Sequence, residues 1–135
     1  MLGSVAVAVA ARLTAASGRP RNVLGDGLGG VVELLPRGSA GRNPLTSQAN
    51  VRLAARWRGV DVTLDVLNLF DRRDVTNLDE VYTDDAVRPI GGGSTGDLGS
   101  LKTETGAPVV RRTAFQLPTA FQSPLSVTLG VHKTF

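Results

Sequence analysis

Apolar and polar side chains alternate with a period of two residues in four segments of this chain. Successive side chains of a β-strand point to opposite faces, so this alternation is typical of strands with one apolar and one polar face. It predicts strands at about residues 3–16, 47–58, 60–70 and 125–135. No segment shows a strong helical period. The fold class predicted from the pattern is therefore all-β.

The second and third predicted strands read as a hairpin. Only residues 58–59 connect them, and the alternation resumes directly on the other side. The polar positions include Arg52 and Arg56 on one strand and Asp61 and Asp65 on the next. Opposite charges on neighbouring strands predict cross-strand ion pairs on a wet face.

The connections between the four segments are long, short and long. Loops at 17–46 and 71–124 flank the short turn. Strands that cross an outer membrane are joined in this way, with extended loops outside and tight turns in the periplasm. A soluble domain would not be expected to spend more than half its length on two loops. The lengths favour an antiparallel meander of about four transmembrane strands, paired in sequence order.

The cost of placing charge in lipid decides which face looks inward. An arginine facing lipid near the bilayer midplane costs roughly 2 to 4 kcal/mol. Arg52, Arg56, Asp61 and Asp65 are therefore predicted to face the lumen, together with Thr128. The predicted lipid side comprises Val51, Leu53, Ala55, Val62, Leu64, Leu129 and Val131. Trp57 lies where the second strand meets the turn, and it is the predicted residue of the interfacial girdle.

Composition excludes several classes of protein. Among its 135 residues the chain has no cysteine, which rules out a disulfide scaffold and a thiolate metal site. The formal charge of +3 is scattered, and without a Lys/Arg stripe no nucleic-acid partner is expected. No run of about 18 apolar residues is present, so no transmembrane helix is predicted. Residues 1–11 are apolar but lack a preceding basic residue, which favours a strand over a signal peptide.

Candidate catalytic and ion-binding motifs have simpler explanations. Residues 91–96 are glycine-rich, but no lysine follows at the Walker position, so a flexible loop tip is favoured over a phosphate cradle. The acidic residues between 71 and 85 lack the ordered spacing of an EF-hand, so a solvated loop is favoured over a calcium site. His132 has no nucleophile or metal partner nearby and is expected to point into the lumen. We predict that the chain is not an enzyme and needs no cofactor.

The end of the chain resembles the assembly signal of bacterial outer-membrane β-barrels. That signal asks for a terminal aromatic residue, a glycine six from the end and a polar residue eight from the end, which are met by Phe135, Gly130 and Thr128. Lys133 departs from it, because an apolar or aromatic residue is usual there. A lysine near the water boundary can extend its ammonium group outward. The resemblance implies recognition by the barrel-assembly machinery.

Four further motifs, in order, resemble TonB-dependent outer-membrane receptors. Residues 62–73 contain Asn-Leu-Phe-Asp-Arg, like a strand end near the C-terminus of these proteins, and Ser17–Pro20 is similar to the Ser-Gly-Arg-Pro that closes an earlier strand. Residues 34–44 and 118–124 resemble segments of the Oar-like branch, whose receptors carry a carboxypeptidase-regulatory-like domain. The resemblance covers essentially the whole chain.

The resemblance implies that residues 1–135 correspond to the C-terminal part of a 22-stranded barrel. Neither a plug domain nor a TonB box is matched, so contact with the TonB system is expected only through the missing plug. Four strands cannot close a barrel, because small closed barrels begin at about eight strands. We therefore expect a truncated product or an excerpt of a longer protein, lying in the outer membrane against its lipid.

Two functions follow as expectations. The first is solute uptake, in which this segment of an intact receptor supplies barrel wall, two extracellular loops and the assembly signal; the transported solute is not specified by the sequence. The alternative is a secreted or soluble all-β binding module that presents residues 71–122 to a partner. Fractionation discriminates them, since a heat-modifiable outer-membrane band supports the first and a soluble monomer the second.

Overall fold

The computed structural model describes residues 4–27 and 29–134. Within these ranges the chain forms nine β-strands and one short 3-10 helix at Thr95–Ser100. The strands are β1 (Ala6–Ala16), β2 (Leu24–Gly27), β3 (Gly30–Glu33), β4 (Thr46–Trp57), β5 (Val60–Leu67), β6 (Val75–Leu78), β7 (Val81–Ala86), β8 (Pro118–Phe121) and β9 (Ser126–Lys133). The all-β prediction is confirmed.

The chain divides into two compact units. The first, called the sheet unit here, comprises residues up to Ala16, Leu45–Asp74 and the residues from Gln122 onward. The second, called the insertion unit, comprises Ser17–Pro44 and Val75–Phe121. The insertion unit is thus made from the two long connections between strands of the sheet unit.

The sheet unit is one antiparallel sheet in the order β1-β4-β5-β9. The pairing of β1 with β4 is continuous from Ala6 opposite Arg56 to Ala16 opposite Thr46. β5 and β9 pair without a bulge along their whole length. The predicted pairing of the four long segments in sequence order is therefore confirmed.

Strand ends differ from the predicted ones by a few residues. The largest differences are three residues: β1 begins at Ala6 and not at residue 3, and β5 ends at Leu67 and not at residue 70. Asn68, which follows β5, has φ 52°, a left-handed conformation that cannot continue a strand. β9 begins at Ser126 and ends at Lys133. Gly3 and Phe135, the expected outer ends of the first and last strands, lie outside the described residues.

A two-residue turn joins β4 to β5. Arg58 has φ 48° and Gly59 has φ 77°, so both turn residues are left-handed. Two successive left-handed residues are typical of the type I′ turn, whose twist matches that of the flanking strands. The turn sets Trp57 opposite Val60 and thereby fixes the register of the hairpin.

The segments expected to be loops, residues 17–46 and 71–124, contain five strands and the 3-10 helix. β2 pairs antiparallel with β3 and parallel with β7, and β6 pairs antiparallel with β8. The two long connections predicted as loops therefore contain regular structure of their own, which the sequence analysis did not predict. These strands are four to six residues long and most of their partners are distant in sequence, so periodicity within a local window does not reveal them.

Side chains from both insertions share one hydrophobic core. The rings of Tyr82 and Phe115 meet edge to face at 5.1 Å between centroids, within a core that also takes in Leu34, which is completely buried. The buried core residues are Val23, Leu34, Leu35, Ala40, Tyr82, Val87, Leu98, Leu101 and Phe115. The insertion unit is therefore a packed structure with an interior of its own.

Replacing Leu34 with alanine should destabilise the insertion unit by about 2–5 kcal/mol, because truncating a buried leucine leaves a cavity. Hydrogen exchange of the amides in 75–121 measures the loss. Val110→Ala is the control in the same unit, since Val110 is 72% exposed, and it should change stability by about 0.5 kcal/mol or less. Equal protection in the two variants would contradict a packed core.

Candidate functional site: the two faces of the sheet

The register of the sheet unit sorts its side chains onto two chemically different faces. Arg52 lies opposite Asp65, and Arg56 lies opposite Asp61, so these four residues share a face, called the charged face here. The residues that alternate with these along each strand, such as Leu53 and Ala55, point to the other side, called the aliphatic face. Its central row crosses all four strands through Val9, Leu53, Leu64 and Leu129.

Two ion pairs run across the charged face. Arg52 Nε lies 3.3 Å from Asp65 Oδ1. Arg56 holds both oxygens of Asp61, with Nη2 donating to Oδ2 at 2.9 Å and Nε donating to Oδ1. Such a two-pronged contact fixes the direction of the guanidinium group as well as its position. Both arginine side chains remain mostly exposed, so the pairs contribute little to stability and chiefly present fixed charge.

A row of small side chains separates the two ion-paired rows. It passes through Ala8, Ala54, Thr63 and Gly130. An open depression of about 390 Å³ lies at this place, with Arg56 and Asp61 in its lining. The charged face therefore combines fixed charges with a row of small side chains that leaves an open depression between them.

Gly130 has a packing reason to be glycine. It lies directly opposite Thr63, and a Cβ at Gly130 would come within 2.6 Å of Thr63 Oγ1. Thr128, the second residue of the predicted assembly signal, lies on the same face opposite Asp65. The third, Phe135, lies outside the described residues. Sequence reasoning gave Thr63 no role, and its importance becomes visible only once the register is known.

His132 lies on the charged face directly opposite Asp61. It stands in the same row as the Arg56–Asp61 pair, so a carboxylate is its nearest charged neighbour across the strands. The predicted direction of this side chain, toward the polar side of the sheet, agrees with the register.

Much of the aliphatic face is exposed. Eight of its large apolar side chains have exposed fractions between 37% and 82%, whereas Val51, Val60, Leu64 and Val66 are partly buried. The eight are Val7, Val9, Leu13, Leu53, Val62, Val127, Leu129 and Val131. A contiguous apolar surface of this kind marks a site of contact with another apolar medium or molecule.

Trp57 stands at one end of the aliphatic face. Its pairing with Val60 puts it beside the β4–β5 turn, and it is 48% exposed. The guanidinium carbon of Arg58 lies 4.8 Å from the centre of the indole ring, within the range of a cation–π contact. The indole ring thus lies at the end of the sheet with the positively charged guanidinium group of Arg58 over its face.

Asn68 ties together the opposite end of the sheet. It is 1% exposed, and its amide nitrogen donates to the carbonyl oxygens of Arg72 and Ser123, each at 2.8 Å. Its side-chain oxygen accepts from the Arg72 N–H at 3.1 Å, and its own N–H donates to Asn50 Oδ1 at 2.9 Å. Asn68, the first residue of the Asn-Leu-Phe-Asp-Arg motif, therefore connects the end of β5 to the residues that precede β9 through hydrogen bonds.

Two other motifs meet within the insertion unit. The Asn43 N–H donates to the Arg19 carbonyl at 2.9 Å, and the Arg21 N–H donates to the Gly41 carbonyl at 2.8 Å. A Cβ at Gly18 would lie 2.2 Å from the Asn43 carbonyl oxygen, so only glycine fits there. Ser17–Pro20 and the end of 34–44 thus close the first insertion at its base.

Three acidic residues of the second insertion, Asp79, Glu80 and Asp84, are paired with arginines. Glu80 pairs with Arg19 at 3.4 Å, and Arg112 lies 3.9 Å from Asp79 and 3.4 Å from Asp84. In the described residues no cluster of three or more acidic or histidine side chains has an arrangement suited to a metal ion. These carboxylates therefore act as ion-pair partners within the unit.

The glycine-rich stretch 91–96 leads into the 3-10 helix. Asp97 Oδ2 accepts hydrogen bonds from the Ser94 N–H at 2.7 Å and from the Ser94 hydroxyl at 2.9 Å. These bonds favour the ionised form and hold the pKa of the Asp97 carboxyl below its usual range. The 3-10 helix has only six residues, and the Asp97 carboxylate already binds its first turn. It therefore acts as a turn in the chain.

Asp74, in the residues that follow β5, binds the start of β4. Arg72 donates to its carboxylate with Nη2 at 3.0 Å, and the Ser47 N–H donates to Oδ2 at 2.8 Å. The hydrogen bond from Arg72, followed by that from Ser47, holds the pKa of Asp74 below its usual range. The carboxylate thereby satisfies a backbone N–H at the start of β4.

No helix within residues 4–27 and 29–134 combines the length and hydropathy that crossing a membrane requires.

Comparison with known proteins relates the chain to one transporter. It is 31% identical over 120 residues to the TonB-dependent transporter Oar of Myxococcus xanthus. The match takes in 76% of this chain and spans 11% of the transporter's length. No family model matches the chain, and no solved structure does so. The similarity supports a relationship to TonB-dependent receptors, and a transporter as relative is consistent with a role other than catalysis.

Gly130→Ala should destabilise the pairing of β5 with β9 by about 1–3 kcal/mol, because the new methyl group meets Thr63 Oγ1. Adding Thr63→Ala to the same protein should restore most of the loss. The urea midpoint of the refolded chain measures each variant, with Thr63→Ala alone as control. A double variant as unstable as Gly130→Ala alone would show that the contact with Thr63 is not the reason for glycine.

Acidification should release the Ser47 amide. The pKa of Asp74 is lowered on folding, so its contribution to stability is present above the unfolded value of about 3.9 and is lost as pH falls through the folded pKa. The hydrogen-exchange protection of the Ser47 N–H should therefore drop below about pH 4, and Asp74→Asn should abolish this step. Asp84→Asn, at an exposed carboxylate, should leave it unchanged. Persistence of the step in Asp74→Asn would assign it to another group.

Proposed function

We propose that this chain forms part of the wall of the β-barrel of a TonB-dependent outer-membrane transporter. The observation that carries the proposal is the sheet unit, in which one uninterrupted register separates a charged face from an exposed aliphatic face across four strands. A barrel wall between lipid and an aqueous lumen needs this division. The similarity to a TonB-dependent transporter supports the assignment.

The orientation of the wall follows from the energetics of charge. Lipid contact at Arg52 or Arg56 would cost roughly 2 to 4 kcal/mol each near the midplane, so the charged face borders the lumen in this proposal. The aliphatic face then borders hydrocarbon. Arg52, Arg56, Asp61 and Asp65 are lumen-facing residues, and Trp57 belongs to the interfacial girdle.

The edges of the sheet argue for neighbouring strands. In the described residues β1 and β9 are the edge strands, each paired on one side. Backbone N–H and C=O groups in hydrocarbon must all be hydrogen-bonded, so such edges cannot border lipid. The chain spans 11% of the related transporter, which is the share expected of one stretch of a large barrel. We place it in the C-terminal part, as a segment of a longer receptor.

The connections complete the proposal. The short turn at Arg58 lies in the periplasm, and both insertions lie at the extracellular end of the strands. Thr128, Gly130 and Phe135 form the signal recognised by the barrel-assembly machinery. In this proposal the intact receptor takes up a solute, and its plug domain couples to TonB.

The insertion unit gives a second candidate function. It has a packed core of its own, so it can present a defined surface to a binding partner. In that case the chain is a secreted or soluble all-β binding module that presents residues 71–122. Recovery of the chain as a soluble monomer, without a heat-modifiable band in the outer membrane, favours this alternative.

A chimera tests the barrel proposal, with this chain in place of the aligned segment of the Myxococcus xanthus transporter. It should reach the outer membrane as a heat-modifiable band. Val9→Lys should lower the yield several-fold, because Val9 lies in the central row of the aliphatic face, where lysine costs roughly 2 to 4 kcal/mol. Ala8→Lys is the matched control on the charged face and should be tolerated.

The two lysine variants give the proposal a clear opposite outcome. Equal yields for Val9→Lys and Ala8→Lys, or a loss confined to Ala8→Lys, would contradict the orientation of the faces. A chimera that stays soluble would contradict the barrel assignment itself.

A further inference from the structure

In the described part of the sheet unit, aromatic side chains occur only near the two ends of the sheet. The described residues of the sheet unit contain two aromatic residues, Trp57 and Phe70. Both are exposed, at 48% and 70%. Phe70 lines a shallow depression at the end of the sheet away from Trp57, together with Leu13 and Ala49 of the aliphatic face and the polar residues Thr14, Gln48 and Arg72. Between them the face is aliphatic.

Measured across the membrane, the two rings are separated by slightly less than the height of the apolar band of an outer-membrane barrel. The Leu69 N–H donates to the Ala49 carbonyl at 2.8 Å, which places Phe70 near the level of Ala49 on β4. Ala49 and Trp57 are eight residues apart on that strand, or about 27 Å at roughly 3.4 Å per residue. A strand tilt of roughly 35–45° reduces this to about 19–22 Å across the membrane. The apolar band of outer-membrane barrels is about 25 Å tall.

The charges beside the two rings differ. At the Phe70 end, Arg72 pairs with Asp74 at 3.0 Å. At the Trp57 end, Arg58 lies over the indole ring, and no carboxylate in the described residues is within ion-pair distance of it. A guanidinium group that pairs with no carboxylate among residues 4–27 and 29–134, next to an interfacial aromatic ring, has donors arranged for a phosphate.

We propose that the Trp57–Arg58 pair binds the phosphate of a phospholipid headgroup in the periplasmic leaflet, and that Phe70 marks the opposite boundary of the hydrocarbon. This inference rests on the proposed function. The indole lies at the headgroup level with its ring against the acyl chains, and Arg58 reaches outward to the phosphate. Anionic phospholipids add a favourable charge term at this position.

Spin labels test the two boundaries. The chain contains no cysteine, so single cysteines at 57, 64 and 70 can each be labelled in a cysteine-free chimera held in phosphatidylethanolamine and phosphatidylglycerol vesicles. Oxygen accessibility should be greatest at 64, with shallow depths at 57 and 70. A label at 63 is the control on the charged face and should contact water.

The labelling results separate the two proposals. A label at 57 or 70 that lies as deep as the label at 64, or entirely in water, would overturn the boundaries while the barrel assignment stands. A label at 64 that contacts water and not lipid would overturn the barrel assignment.

Native mass spectrometry tests the phosphate contact. Phosphatidylglycerol retained by the chimera should fall several-fold in Arg58→Gln and be largely kept in Arg58→Lys. Arg73→Gln is the control, since Arg73 is also exposed but lies 3.7 Å from Asp71. Equal retention in Arg58→Gln and Arg73→Gln would overturn the phosphate site. Displacement of the lipid by millimolar inorganic phosphate would show that the pair binds a free anion and not a headgroup.

Discussion

The register between β4 and β5 is the constraint on which the sheet unit depends. Side chains alternate along a strand, so a slip of one residue would exchange the two faces completely. The left-handed residues Arg58 and Gly59 fix the register at one end. Asn68 fixes it at the other, because its N–H bonds to Asn50 on β4 while its amide holds Ser123 before β9. Which side chains lie on the charged face and which on the aliphatic face therefore depends on the register being fixed at these two ends.

The sheet could be predicted from sequence because its information is local. Alternation over eight to twelve residues marks β4, β5 and β9, and the short turn dictates which residues oppose each other. Arg56 and Asp61 could therefore be paired in advance. Thr63 opposite Gly130 could not, since a threonine on a polar face carries no distinctive pattern. The insertion unit escaped prediction because β2 and β7 are four and six residues long and lie far apart in sequence.

The motifs that resemble TonB-dependent receptors lie where the chain passes from one structural element to the next. Asn68 stands at the end of β5, Gly18 packs against Asn43 at the base of the first insertion, and Pro118–Phe121 forms β8. At each place backbone segments approach closely, through a left-handed residue, a missing Cβ or a short pairing. Such geometry restricts residue type more tightly than an exposed strand position does.

The shared core of the insertion unit has a consequence for the order of folding. Leu34 comes from the first insertion, whereas Tyr82 and Phe115 come from the second, so neither insertion can complete this interior alone. Residues made early in synthesis must wait for partners dozens of positions later, and contacts of such long sequence separation form slowly. The first insertion therefore stays without its native core until most of the chain has been synthesised.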